Sequence, residues 1–145
     1  MFKHVLVATD GARLSETAAL GAVQLAKSLS ARLTAVTSST PFHVFATDAV
    51  MLTDTEEVYT EHCKRQAETY LRVIKTAAMS AGLSFEGIHL FHDHPYAAII
   101  ETANNKGCDV ICMASHGRRG ISALVLGSET MKVLTHSKIP VLVWR

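Results

Sequence analysis

The sequence lacks the features that define several large classes of protein. Its apolar runs all fall short of the ~18 residues that a membrane-spanning helix needs, and the early run Val5–Ala8 is too short for the core of a signal peptide. It also lacks an excess of either charge, since 14 Lys and Arg against 13 Asp and Glu leave a net charge of +1. Whole-chain charge therefore gives no reason to expect binding to nucleic acid. We expect a cytoplasmic protein whose partners include neither a membrane nor a nucleic acid.

Residue sets typical of metal centres and of nucleophilic catalysis are also scarce. Cys63, Cys108 and Cys112 have no zinc-like spacing, and the last two would lie about 13 Å apart along a strand, too far for a disulfide. We therefore expect free thiols. The segment His92–His94 (His-Asp-His) leaves two interpretations open, a pair of metal ligands or a polar loop, and no spacing supplies further ligands. We predict no metal ligand and no catalytic residue.

What the sequence does contain is a regular alternation of strand and helix patterns within 145 residues, of which 48% are apolar. Continuous apolar runs such as those in Lys3–Thr9 and Asp109–Ala114 are typical of parallel strands covered by helices on both faces. The pattern predicts one α/β domain with right-handed crossovers. The predicted strands are Lys3–Thr9, Arg32–Thr37, Leu83–His92, Asp109–Ala114 and Ile139–Trp144, and the predicted helices span 14–29, 55–79, 96–105 and 129–135.

Apolar spacing predicts the buried face of each longer helix. The predicted inward residues are Leu14, Ala18, Ala22, Leu25 and Leu29 in the first helix, Val58, Tyr70, Val73, Ile74, Ala77 and Ala78 in the second, and Ala98, Ile99 and Thr102 in the third. Ser38–Thr53 has no helical period and is predicted as a long loop. Such a loop is either a binding segment or a variable surface excursion.

In open parallel sheets, ligands bind beyond the carboxyl ends of the strands, where the strand order reverses. The segment 113–130 leaves a buried strand, passes Gly117 and Gly120 and enters a helix at Gly127-Ser128. Glycines allow backbone N–H groups to approach a phosphate, and a helix start presents free N–H groups and the positive end of its dipole. Ser128 is predicted as the N-cap. The alternative is that the glycines only form a turn and the serine only caps the helix.

From Met1 to Arg145 the sequence resembles the universal stress proteins of the UspA superfamily. Nucleotide-binding members carry G-x2-G-x9-G-[S/T] before a final short helix and strand, and here the motif is Ala114-x2-Gly117-x9-Gly127-Ser128, with alanine in place of the first glycine. Family members that do not bind nucleotide lack much of this pattern. The resemblance implies a Rossmann-like α/β sandwich with a five-stranded, mostly parallel sheet of order 3-2-1-4-5 and four helices.

The resemblance also implies that the protein binds an adenine nucleotide, ATP in the first instance, with Mg²⁺ as an accompanying ion. Gly117, Gly127 and Ser128 would hold the phosphates, Asp10 would bond a ribose hydroxyl, and Ala8, Thr9 and Val36 would border the adenine. Asp10 could alternatively cap the first helix or the turn into it. The complete set of implied nucleotide-binding residues is Ala8, Thr9, Asp10, Val36, Met113, Ala114, His116, Gly117, Arg118, Arg119, Gly127, Ser128, Glu129 and Thr130.

Charge distribution and the last strand extend these expectations. Residues 114–145 carry five basic side chains and one carboxylate, a net charge of +4, whereas residues 48–68 carry two basic side chains and six carboxylates, a net charge of −4. The basic end of the chain therefore coincides with the proposed phosphate loop. Ile139, Val141 and Val143 line one face of a terminal strand that is apolar on both faces, and the resemblance implies a homodimer built through this strand. The rival hypotheses are a nucleotide-free stress protein with Ala114 as its signature, and a slow nucleotide hydrolase.

Overall fold

The computed structural model describes residues 1–43, 55–117 and 126–145. Five strands alternate with four helices along the chain. The strands are β1 (His4–Ala8), β2 (Arg32–Ser39), β3 (Phe85–Phe91), β4 (Val110–Ala114) and β5 (Val141–Trp144). The helices are α1 (Arg13–Leu29), α2 (Glu56–Ser80), α3 (Pro95–Lys106) and α4 (Ser128–His136). Among the described residues, no helix has the length and apolar character needed to cross a membrane.

The strands form one sheet in the order β3-β2-β1-β4-β5, and every pairing is parallel. The predicted α/β class and strand order are therefore confirmed, and the sheet is wholly rather than mostly parallel. All five residues of β1 and all five of β4 are buried, as their continuous apolar runs predict. One face of the sheet packs against α1 and α2, and the other packs against α3 and α4.

Helix α1 lies close to the sheet because its buried face consists of small residues. Ala18 and Ala22 are buried as predicted, whereas Leu14, Leu25 and Leu29 are only partly buried. The buried stripe is displaced by about one residue and includes Ser15, Ala19, Val23 and Ala26. Short side chains permit this close approach, and the larger leucines then lie at the margins of the contact.

The predicted inner face of α2 is partly wrong. Ile74 and Ala78 are buried, but Val58 and Val73 are 51% and 38% exposed, and Tyr70 and Ala77 are partly buried. The first half of the helix instead buries Tyr59, Cys63 and Ala67, which recur every four residues. Tyr59 and Cys63 pack with Phe42 and Phe91 in a small cluster beyond the end of the sheet. Because the buried residue here is a tyrosine, hydropathy alone predicts the adjacent Val58 as the inward residue.

The ends of several elements differ from those predicted. Strand β2 continues to Ser39 because its last residues pair with β3, so the predicted loop Ser38–Thr53 begins later, and residues 44–54 of it lie outside the described residues. The inward residues predicted for α3, Ala98, Ile99 and Thr102, are all buried. Strand β5 begins at Val141 rather than Ile139, since the Ile139 amide donates to Ser137 Oγ at 3.0 Å in a preceding turn.

The amino end of the sheet contains a buried histidine. His4 is 4% exposed, and its Nε2 lies 2.8 Å from Thr34 Oγ1. Burial lowers the pKa of His4, and the positive charge of Arg32 lowers it further. A backbone hydrogen bond with Lys106 and the charges of Asp109 and Glu86 oppose this shift. The folded protein therefore holds this imidazole neutral under conditions in which the unfolded chain would protonate it.

Acidification is expected to destabilise the fold through His4. Because the folded pKa lies below the ordinary value of 6.5, the unfolded state binds more protons as pH falls through that value, and the free energy of unfolding decreases. His89, whose pKa is lowered by burial and by Lys64, adds to the same trend.

Urea unfolding at neutral and mildly acidic pH should show a smaller pH dependence of the free energy of unfolding in His4→Gln than in the wild type. His62→Gln, on the exposed side of α2, controls for loss of an imidazole; equal pH dependence in wild type and His4→Gln would contradict the prediction.

Candidate functional site

The strand order reverses between β1 and β4, which are adjacent in the sheet. From β1 the chain builds outward through β2 to β3, and from β4 it builds in the opposite direction to β5. The helices that follow β1 and β4 therefore diverge and leave a crevice at the carboxyl ends of these two strands. The residues at this crevice are Thr9, Asp10 and Gly11 after β1 and Ser115, His116 and Gly117 after β4.

Asp10 and Gly117 face each other across this crevice. The Oδ1 atom of Asp10 accepts hydrogen bonds from Ala12 N at 3.0 Å and from Ser15 Oγ at 2.7 Å, which fix the carboxylate at the turn into α1. A Cβ atom on residue 117 would overlap Asp10 Oδ2. Gly117 does not have a positive φ angle, so the requirement for glycine comes from this close approach. Asp10 thus supports the turn into α1, and its carboxylate also lies against the candidate phosphate segment.

Gly127 brings the chain back beside the residues that leave β4. Its amide donates to Ser115 O at 2.7 Å, and a Cβ atom at this position would lie 3.1 Å from His116 Cα and 3.3 Å from Ser115 O. Gly127 is the N-cap of α4, and Ser128 is the first helical residue. The prediction of Ser128 as N-cap is therefore wrong by one residue, and the tight packing on Ser115 and His116 favours glycine at the cap itself. The N-terminus of α4 consequently lies beside the start of the glycine segment.

Two side chains of the first turn of α4, those of Thr130 and Glu129, bind other parts of the protein. Thr130 Oγ1 donates to Ala114 O at 2.9 Å and is buried. The Glu129 carboxylate accepts from the Tyr96 amide at 2.9 Å and from Lys132 Nζ at 3.3 Å. It thereby supplies a hydrogen-bond partner for an N–H group at the start of α3 that has none within the helix. These contacts anchor α4 to β4 and to α3. This turn can offer a ligand its backbone N–H groups, the positive end of the helix dipole and the hydroxyl of Ser128, which is exposed.

Ala8, Val36 and Met113 form an apolar wall beside the crevice. All three belong to the buried cluster between the sheet and α3 and α4. The Thr9 amide donates to Val36 O at 3.0 Å, and the Gly11 amide donates to Thr9 Oγ1 at 3.2 Å. The crevice therefore combines an apolar wall on β1, β2 and β4, a fixed carboxylate after β1, and a helix N-terminus next to β4.

Comparison with known proteins identifies the family of this chain. The sequence profile described as the universal stress protein family matches residues 1–145. The chain belongs to the universal stress protein family. A universal stress protein of Thermus aquaticus is 30% identical over 145 residues, which cover all of both chains. The solved structure of MJ0577 from Methanocaldococcus jannaschii matches with a TM-score of 0.80 and 23% identity over 99% of this chain and 95% of that one. A universal stress protein crystallised in complex with cAMP matches with a TM-score of 0.68 and 25% identity over 99% and 97%.

This universal stress protein departs from the family motif at Ala114. The residue lies in regular β4 conformation, is buried, and pairs with Trp144 of β5. No positive φ angle is required there, because Ser30 is the one non-glycine residue with positive φ in the described ranges. Side chains alternate along a strand, so the Ala114 methyl group lies on the opposite face from Met113. The substitution therefore leaves the apolar wall of the crevice unchanged.

Three predicted site residues are cationic or titratable side chains of the glycine segment. His116 follows β4 directly, and its Nδ1 lies 3.2 Å from Ser115 Oγ. Arg118 and Arg119 lie outside the described residues. Their assignment to phosphate binding remains a prediction from the sequence.

The remaining sequence candidates have local roles in this structure. His92 Nδ1 accepts from the His94 amide at 2.9 Å, and Asp93 Oδ1 lies 2.8 Å from His43 Nε2. In the ranges that the structure covers, no group of three or more His, Cys, Asp or Glu side chains is arranged to hold a metal ion.

The three thiols are free and buried. Burial raises the pKa of Cys112 to about 12. Burial, together with the charge of Asp109, raises the pKa of Cys108 to about 11, so both thiols are held in the protonated, unreactive form.

The candidate dimer strand β5 is an edge of the sheet and pairs with β4 on one side. Ile139 and Val141 pack against the buried cluster beneath α3 and α4, whereas Val143 is partly buried and Leu142 is 41% exposed. Of the three predicted interface residues, Val143 is thus the one that does not pack against the buried clusters of its own chain. Assembly through this edge stays a prediction.

Sequence reasoning did not find two connections that shape the crevice. Ser115 joins the two ends of the glycine segment, since its carbonyl accepts from Gly127 N while its amide donates to Trp144 O at 2.6 Å. Glu129 reaches Tyr96, 33 residues away in the sequence. Both contacts depend on tertiary packing, and no local pattern indicates them.

Proposed function

We propose that this universal stress protein binds an adenine nucleotide at the crevice between β1 and β4. The observation that carries the proposal is the placement of the Asp10 carboxylate directly against Gly117, beside the N-terminus of α4. A ribose hydroxyl can donate to the carboxylate, and phosphate oxygens can accept from the N–H groups of the glycine segment and the helix. The family relative in complex with cAMP supports the adenine nucleotide as the ligand class.

ATP with Mg²⁺ is the ligand we assign first. A Cβ atom at residue 117 would overlap Asp10 Oδ2, and one at residue 127 would make tight contacts with Ser115 and His116. Both positions therefore favour glycine, which suits close approach of backbone to phosphate. The phosphates would supply most of the ligands of the ion, in keeping with the preference of Mg²⁺ for phosphate oxygens and water. The net +4 charge of residues 114–145 favours this anionic ligand.

The biological role that we infer is regulation rather than catalysis. Residues 1–145 act as one universal stress protein domain in the cytoplasm, as a homodimer through β5, and nucleotide occupancy alters the dimer or its protein partners. We infer that no side chain of the site acts as a base toward water, so any hydrolysis of ATP should be slow.

The test is direct detection of the nucleotide. Purified protein is denatured and the released small molecules are identified, and ATP is then titrated calorimetrically into ligand-free protein with Mg²⁺. Released adenine nucleotide or saturable heat supports the proposal. Absence of both favours a nucleotide-free stress protein that acts through protein contacts. Multiple-turnover release of ADP at ordinary enzyme rates would favour a hydrolase.

A further inference from the structure

Ser38 lies at the carboxyl end of β2, beyond the last residue of β2 that pairs with β1. Pairing between β1 and β2 ends with Ala8 and Val36, whereas β2 continues to pair with β3 through Ser38 and Leu90 and one residue beyond. Ser38 follows Val36 by two residues and so lies on the same face of β2. That face is the one carrying the apolar wall of the crevice.

The hydroxyl group of Ser38 is buried without a hydrogen-bond partner. Its Oγ has almost no contact with solvent, and no donor or acceptor in the described ranges reaches it. The neighbouring Ser39, on the opposite face, has its Oγ 2.8 Å from His89 Nε2. A buried hydroxyl that lacks a partner costs about 1–3 kcal/mol, so this group calls for a partner that the described residues do not supply.

The position of Ser38 relative to the other site elements identifies that partner. Adjacent strands are about 4.8 Å apart, so the carboxyl edge of the sheet presents three positions in sequence. The anion-binding helix N-terminus lies next to β4, the Asp10 carboxylate follows β1, and the Ser38 hydroxyl ends β2. A nucleotide has its phosphate, ribose and base in the same linear order. The neutral hydroxyl beside an apolar wall matches the base.

We propose that Ser38 Oγ forms a hydrogen bond with the nucleobase and acts as a specificity-determining residue of the site. This inference rests on the proposed nucleotide-binding function. A purine edge offers both ring-nitrogen acceptors and amino donors, and a hydroxyl can pair with either. Val36 and its apolar neighbours would contact the face of the ring, while Ser38 fixes the orientation of its edge.

The inference is tested by comparing Ser38→Ala with the wild type by calorimetry. Loss of one hydrogen bond should weaken ATP binding about 3- to 10-fold, and adenosine should lose affinity by the same factor. Inorganic triphosphate, measured as a competitor of ATP, should bind both proteins equally. Ligand-free Ser38→Ala should unfold at the same temperature or higher, because the substitution removes an unsatisfied buried hydroxyl.

Two further variants complete the design. Ser38→Thr retains the hydroxyl and should restore most of the lost affinity, whereas Ser39→Ala removes the hydroxyl on the other face and should leave ATP affinity unchanged. ATP affinity equal to wild type in folded Ser38→Ala would overturn the inference and leave the proposed function intact. Failure of the wild type to bind ATP or adenosine would overturn both.

Discussion

Gly117→Val is expected to lower the affinity for ATP about 10- to 100-fold. A Cβ atom at this position overlaps Asp10 Oδ2, so the variant must displace either the carboxylate or the glycine segment. Strain of this kind costs about 1–3 kcal/mol, and 1.4 kcal/mol corresponds to a tenfold change in a binding constant. Displacement of Asp10 would also disturb its bonds to Ala12 and Ser15. The measurement is calorimetric titration with ATP and Mg²⁺.

Gly87→Val is the matched control for Gly117→Val. Gly87 lies in β3, and a Cβ atom there would make ordinary contacts of 3.4 Å or more with Phe85 and Leu71. The control should bind ATP as the wild type does. Circular dichroism should show that both variants are folded. Wild-type ATP affinity in folded Gly117→Val would contradict the assignment of phosphate binding to this segment.

Val143→Glu is expected to convert the proposed homodimer into a monomer. Strand β5 is a sheet edge, and an exposed edge presents unpaired backbone groups to another chain. A glutamate in a dimer contact would have to lose its hydration, and two symmetry-related copies would repel each other. Because Val143 is only partly buried and lies outside the principal core clusters, the monomer should stay folded. Light scattering should give the mass of one 15.7 kDa chain.

Two controls separate assembly from folding. Lys138→Glu changes charge at an exposed position before β5 and should leave the mass of the wild type unaltered. Val141→Glu should lower the thermal stability as well as the mass, since Val141 packs against the buried cluster of its own chain. A wild-type dimer mass in Val143→Glu would refute assembly through this face of β5.

Local patterns predicted the architecture well where burial is symmetrical. β1 and β4 are buried on both faces, so their apolar runs are continuous and their assignment as central strands followed directly. Half-buried elements were predicted less accurately. In helix α2, Val58 adjoins Tyr59 in the sequence, and Tyr59 faces inward because it packs against Phe42 and Phe91, which lie outside the helix.

The candidate site shows the same division between local and tertiary information. The glycine spacing and the position of Asp10 after a strand are visible in the sequence. The reversal of strand order between β1 and β4 explains why Asp10 and the glycine segment lie at the same crevice. The contact between Asp10 and Gly117 joins residues from opposite halves of the chain, and no spacing rule predicts it. The isolated hydroxyl of Ser38 is also a property of packing, because in the sequence it is one serine of a Ser-Ser-Thr run.

The packing of the final strand has an optical consequence. Trp144, the single tryptophan of the sequence, lies against Gly21 of α1 so closely that a Cβ atom on that glycine would meet the indole ring at 2.5 Å. Its carbonyl accepts from the amide of Ser115 at the edge of the crevice. Fluorescence excited in the indole absorption band therefore comes from Trp144 alone, at the contact between β5 and α1. It reports the docking of the terminal strand onto α1, without any label, in every titration and unfolding experiment on this protein.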